Sequence, residues 1–255
     1  MIEIFNVTVP ELTGDEERRA YVYLPEVCLS EPGRRFPVLY MFDGHNVFYD
    51  SHATYGKSWG VGEYLDRTGT PLIVAAVECN HHPDHGRIKE YSPYSFRSPW
   101  LGSITGRGAE TMAWFVNVFK PLIDRTYPTL PDRAHTFIAG SSMGGLMSLY
   151  ALADYNRVFS RAAALSPSIS FGAQSLDALL KAADFAPGTV LYMDYGEREM
   201  AEHKAESRWR TVNRLLLEKG VLLTARIVPG GEHCEASWER QLPFFIPTLL
   251  YGLEA

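Results

Sequence analysis

The chain has 255 residues, 46% of them hydrophobic, which is enough to bury one large core, and nothing along it reads as a linker, so residues 1–255 are read as one α/β domain. Net charge is −6 and the basic residues fall in pairs such as Arg18-Arg19 and Arg34-Arg35, not patches, which argues against nucleic acid as a partner. No stretch approaches the roughly 18 apolar residues of a membrane helix, the three cysteines (Cys28, Cys79, Cys234) form no CxxC pair, and the N-terminus lacks a basic region followed by an apolar run, so a cytoplasmic chain with reduced thiols, no signal peptide and no membrane partner is expected.

In chain order, Ile2–Val9 and Ala20–Leu24 alternate apolar and polar residues around Thr13-Gly14-Asp15 and predict an opening antiparallel pair. Short apolar runs rich in β-branched residues follow at Pro37–Phe42, Leu72–Val77, His135–Ala139, Arg161–Leu165, Val190–Tyr195 and Leu222–Val228. Such runs are typical of buried parallel strands. Between them, Thr111–Arg125 carries Met112, Phe115, Val116, Phe119 and Ile123 on one helical face, with a kink or division expected at Pro121. Gly144–Ala153 is a short apolar helix, and His203–Lys219 aligns Ala205, Trp209, Val212, Leu215 and Leu216, with Gly220 at its C′ position. The pattern predicts a mostly parallel eight-stranded sheet with helices on both faces. Ligands in such sheets bind beyond the carboxyl ends of the strands.

After the strand ending at Ala139 comes Gly140-Ser141-Ser142-Met143-Gly144-Gly145, a G-x-S-x-G pattern between a strand and a helix. The turn is so tight that side chains are excluded two residues before and two after the serine, and the helix directs its positive end at the hydroxyl. Ser142 is the candidate nucleophile and the backbone N–H of Met143 one oxyanion donor; Ser141 has the wrong offset from the glycines and reads as structural. A serine needs an adjacent base. Of eight histidines only His233, in Pro229-Gly230-Gly231-Glu232-His233, follows the last predicted strand. The acid that orients it should follow Val190–Tyr195, where Asp194, Glu197 and Glu199 are candidates. Glu199 is favoured because it lies far enough along to curl back toward the histidine; the other two stay open. The second oxyanion donor should come from Asp43-Gly44-His45-Asn46, and the backbone of His45 is assigned to it.

Several segments together resemble the esterase D-like esterase family of α/β-hydrolases. They are Val38 to Gly44, Arg87 with Glu90-Tyr91-Ser92-Pro93, Ile138 to Leu146, Ser166-Pro167-Ser168 and Gly230 to His233, spanning about residues 36–240. The resemblance implies the α/β-hydrolase fold and a carboxylic ester hydrolase working through an acyl-enzyme. It also places the acid three residues after the glycine that ends its strand, which matches Gly196 and Glu199. Feruloyl or acetyl esters, siderophore lactones and simple acyl esters all fall within the family's range, so the partner expected is a small-molecule ester. An acyltransferase would use the same triad, and a non-catalytic hydrolase-like binding protein would have lost part of it.

The segment Cys79-Asn80-His81-His82-Pro83-Asp84-His85 is rich in metal-ligand types, but adjacent His81 and His82 in an extended loop point different ways, so no metal and no cofactor is expected. Its position after Leu72–Val77 suits substrate contact by Asn80 or His81. Trp59, Tyr91 and Trp238 are candidate walls of an acyl or aryl pocket, with Trp100 as a further aromatic that could line it.

Overall fold

The computed structural model describes residues 1–202 and 205–253. Among these residues eight strands form the central sheet: β1 (Ile2–Thr8), β2 (Glu17–Tyr23), β3 (Val38–Met41), β4 (Ile73–Val77), β7 (Thr136–Ser141), β8 (Arg161–Leu165), β9 (Val190–Gly196) and β10 (Leu222–Val228). Two further strands among the described residues, β5 (Phe96–Ser98) and β6 (Gly102–Ile104), pair with each other. The sheet order is β1-β2-β4-β3-β7-β8-β9-β10. β2 is antiparallel to both β1 and β4, and every pairing from β4 to β10 is parallel.

The inner strands are fully buried because both faces are covered. Val38, Tyr40, Ile73, Ala75 and Ile138 face one core, under helices 108–114, 143–154, 173–182 and 206–218. Leu39, Met41, Val74, Ala76 and Phe137 face the other, under helices 61–68 and 242–250. The buried guanidinium of Arg161 on β8 donates to the carbonyls of Leu249 (2.9 Å) and Tyr251 (2.6 Å), satisfying the end of the last helix.

The chain reverses its direction of travel across the sheet at β3: β4 lies on one side of it and β7 on the other. The loops leaving β3 and β7 therefore part, and open a crevice at the carboxyl edge.

Some boundaries differ from those read in the sequence. The helical segment Thr111–Arg125, in which a kink or division is expected at Pro121, is two helices, Gly108–Trp114 and Lys120–Thr126, joined by a π-turn at Phe115–Phe119, so the division falls ahead of the proline. Pro121 sits in the first turn of the second helix, and the wider π-turn ahead of it makes room for its ring. A one-turn helix, Pro10–Thr13, precedes the Gly14 turn between β1 and β2. The predicted helix over His203–Lys219 runs from Glu206 to Glu218, and its predicted start at His203 lies outside the described residues. Among the described residues no helix is long and apolar enough to cross a membrane.

Candidate active site

Ser142 occupies the junction between β7 and the helix Met143–Asp154, with φ 58° and ψ −119°. Holding a residue with a side chain at positive φ costs about 1–3 kcal/mol and persists only where the surroundings enforce it. Here they do. The Ser142 N–H donates to Leu165 O (2.9 Å), and the Ser142 carbonyl accepts from Ser168 and Leu146 N–H (3.0 Å each). A Cβ on Gly140 would come within 2.7 Å of the Gly144 backbone, so the elbow closes only with glycine there. The Ser142 Oγ stands 3.5 Å from Ser168 Oγ, and the N-terminus of the helix begins at Met143.

His233 follows β10 in a loop and lines the same cavity as Ser142. Its Nδ1 lies 2.6 Å from Glu199 Oε2. Glu199, in the short helix after β9, is buried and is held from three sides. Its Oε1 accepts from the Gly196 N–H (2.5 Å) and from the Ser166 hydroxyl, and Ser166 in turn accepts from Trp238 Nε1–H (3.0 Å). Burial pushes the Glu199 carboxyl up, but the hydrogen bonds from His233, Ser166 and Gly196 outweigh it and hold the group below the usual carboxylate range. The other two carboxylates accept hydrogen bonds from other partners. Asp194 accepts from Tyr192 Oη (2.9 Å) and Ser166 N–H (3.2 Å), and Glu197 accepts from Gly230 N–H (2.9 Å).

The loop after β3 is built on Asp43, which takes a left-handed conformation (φ 57°) and pairs with Arg87 through two 2.7 Å hydrogen bonds. Burial alone would raise the Asp43 carboxyl, and Arg87 brings it below its ordinary value. The next residue, Gly44, runs so close to β4 that a Cβ would lie 2.9 Å from the Val77 backbone. His45 follows and reaches the cavity wall.

Residues 13–243 match the esterase family model described as "Putative esterase". The chain belongs to this esterase family. It is 25% identical over 248 residues to the uncharacterized protein YbbA of Bacillus subtilis (strain 168), covering 92% of this chain and 93% of that one. A ferulic acid esterase structure superposes with a TM-score of 0.70 at 19% identity, covering 98% of this chain and 97% of that chain. The siderophore hydrolase EstA of Aspergillus nidulans gives 0.70 at 17% identity, covering 95% and 93%. These likenesses share the α/β-hydrolase fold, and the protein is an esterase that acts on carboxylic esters.

The esterase's cavity measures about 490 Å³. Its wall brings together Ser142, His233, His45, Asn80, His81 and Trp238. Three residues read as pocket walls do not line it; one of them, Trp100, is 90% exposed. Tyr91 is 0% exposed: its ring packs on Phe42 and its hydroxyl accepts from the Asp43 N–H, so it supports the loop from beneath. Trp59 is 3% exposed and lies behind Trp238, ring centroids 5.8 Å apart. Trp238 itself also packs edge-on to His233, at 5.2 Å. Sequence reasoning missed the parts played by Ser166, Arg87 and Tyr55. Ser166 and Arg87 stand in segments that carry the family resemblance, which was the available signal; exposed Tyr55 gave none.

Proposed function

We propose that the esterase hydrolyses its substrate through an acyl-enzyme on Ser142, with His233 as general base and Glu199 as the carboxylate that orients it. The observation that carries this reading is the 2.6 Å contact between Glu199 Oε2 and His233 Nδ1, on a histidine that shares a cavity with a serine held at φ 58°. With Nδ1 engaged by Glu199, the other ring nitrogen serves the serine. Ser142 Oγ attacks the ester carbonyl and gives its proton to His233 Nε2. The backbone N–H groups of Met143 and His45 receive the negative charge that develops on the carbonyl oxygen. The tetrahedral adduct then expels the alcohol, which takes the proton back from His233. Water repeats the sequence and releases the acid.

The cavity's size suits a compact acyl group, within the usual range for small-ligand sites. Imidazole, amide and indole groups from His45, His81, Asn46, Asn80 and Trp238 line it, with Tyr55 at its exposed edge and Ile88 as its aliphatic contribution. Aryl, hydroxylated or short acyl esters, such as feruloyl, acetyl or siderophore esters, fit such a wall better than long alkyl chains. The test is an ester panel on purified protein, from short to long acyl p-nitrophenyl esters, with methyl ferulate and a siderophore trilactone. kcat/KM should fall as the aliphatic chain lengthens. A preference for long chains would overturn the substrate reading, and turnover by Ser142→Ala close to that of the parent would overturn the mechanism.

A further inference from the structure

Cys79 and His81 follow β4, and His45 follows β3. Because β3 and β4 are adjacent and parallel, their carboxyl-end loops meet. One ligand atom from each of the three side chains lies within 4.8 Å of the other two. Cys79 Sγ is 4.0 Å from His81 Nδ1, and the His45 and His81 rings stand edge to face at 4.8 Å. His82, by contrast, turns back on its own loop and accepts from the Asp84 N–H. The metal-ligand types that lie side by side in the sequence therefore do not form the set; the third member comes from another strand's loop.

A second observation points to a ligand. His45 is 5% exposed, and its Nδ1 is buried without a hydrogen-bond partner among the described residues. A buried polar atom left unpaired costs about 1–3 kcal/mol. Its Nε2 lies 3.1 Å from Thr54 Oγ1. With the proton on Nε2 donated to that hydroxyl, Nδ1 presents a lone pair. A metal-bound histidine is held in this way, its second nitrogen donating to an oxygen that fixes tautomer and ring orientation.

We propose that His45, Cys79 and His81 form a binding site for a thiophilic divalent transition metal ion of the zinc class. Two imidazoles and a thiolate are the donors zinc prefers, whereas calcium and magnesium require oxygen. Bonds of about 2.0–2.3 Å to a tetrahedral ion require the three donors to draw together by about 1 Å. Exposed His81, on its loop, has the freedom to supply that movement. Binding releases the Cys79 thiol proton to solvent and leaves Asp43 paired with Arg87. Three protein donors leave the fourth position for water. The ion would sit in the wall of the cavity that holds Ser142 and narrow the space an ester must enter. No step of the proposed hydrolysis uses it, so the metal acts as an inhibitor and not as a cofactor.

Titration of chelator-treated protein with Co(II) reads the site without any substrate. The parent should develop a thiolate-to-cobalt charge-transfer band and the strong visible absorption of four-coordinate Co(II). Cys79→Ser should lose the charge-transfer band, and His81→Ala, at an exposed position that leaves the fold alone, should weaken binding at least about tenfold. In parallel, zinc should inhibit ester hydrolysis reversibly by EDTA, with the inhibition constant raised at least about tenfold in both variants. A weak six-coordinate cobalt spectrum without a thiolate band, or equal affinity in all three proteins, would overturn the site. Activity lost in EDTA and restored by zinc would overturn its inhibitory role. Either failure is separable from the esterase reading, which Ser142→Ala tests alone.

Discussion

The two walls of the cavity are built on different principles. On the wall formed by β8, β9 and the His233 loop, polar groups are tied in series: Trp238 to Ser166, Ser166 to Glu199, Glu199 to His233. On the wall formed by the loops after β3 and β4, a buried imidazole nitrogen has no hydrogen-bond partner among the described residues and stands beside a thiol and a second imidazole. A fully paired network fixes one geometry before substrate arrives, which is the arrangement electrostatic catalysis needs. A wall with one nitrogen left over retains capacity to change with whatever fills the cavity. The proposed acid–base chemistry belongs to the first wall, and the sensitivity to ligands to the second.

Disrupting the ordered wall should have the largest effects. Ser142→Ala should lower kcat by about 10⁶-fold with the fold intact by circular dichroism. Retention of more than about a hundredth of parent kcat would remove Ser142 from its role. Ser141→Ala, at the end of β7, should do far less.

Glu199→Gln should come next, lowering kcat about 10⁴-fold through loss of the imidazole's orientation. Glu197→Gln and Asp194→Asn, assayed in parallel at matched stability, separate the three carboxylates. If Asp194→Asn alone is crippled, the assignment to Glu199 is wrong. Trp238→Phe keeps the ring that packs on His233 but deletes the N–H that reaches Ser166. It should lower kcat about tenfold, the scale of outer-shell changes around a positioned histidine, with little change in KM. In a Glu199→Gln background the same substitution should have no further effect on kcat, because the chain it acts through is already cut. An additive loss would make Trp238 a packing residue only.

Activity should depend on the neutral imidazole of His233. kcat/KM should fall along a single acid limb, since Glu199 is held below the usual carboxylate range and is already ionised there. A profile flat over roughly pH 5 to 8, the interval in which a histidine changes charge, would contradict a histidine base.

Much of the fold was legible because the inner strands are short apolar runs whose type follows from burial on both faces. Val38–Met41, Ile73–Val77 and Arg161–Leu165 are of this kind. The elbow was legible too, because glycine at 140 answers a contact that no other residue tolerates. Two kinds of feature were not. The π-turn at Phe115–Phe119 preserves the apolar stripe, so periodicity reads straight through it. Contacts between loops on different strands leave no spacing signal: His45 and His81 meet only because β3 and β4 are neighbours, and Tyr91 is covered by Phe42, Arg87 and Asp43 together. An aromatic residue near a site reads alike whether it faces the cavity, as Trp238 does, or supports it, as Tyr91 and Trp59 do.

The smallest predicted effect separates two neighbouring buried carboxylates by stability and not by turnover. Burial raises Asp194 from 3.8 to about 7, against hydrogen bonds from Tyr192 and Ser166 and with the nearby Glu199 charge adding to the rise. Its folded pKa lies above its unfolded value, so between those values the folded protein keeps a proton that the unfolded chain has lost. Stability therefore falls as pH rises across that interval and levels off above it. Glu199 has the opposite sign: its depressed pKa gives stability that is present above the unfolded value and lost only as pH falls through the folded one, in a more acidic window. Asp194→Asn cannot ionise, so the drop in denaturation midpoint between roughly pH 5 and pH 8 should be smaller in the variant than in the parent. It should not vanish, because Glu90 is also raised by burial, to about 7, in spite of its pairing with Arg18. An equal drop in both proteins would mean that Asp194 is ionised throughout and that the second carboxylate beside Glu199 carries its charge at no cost to the fold.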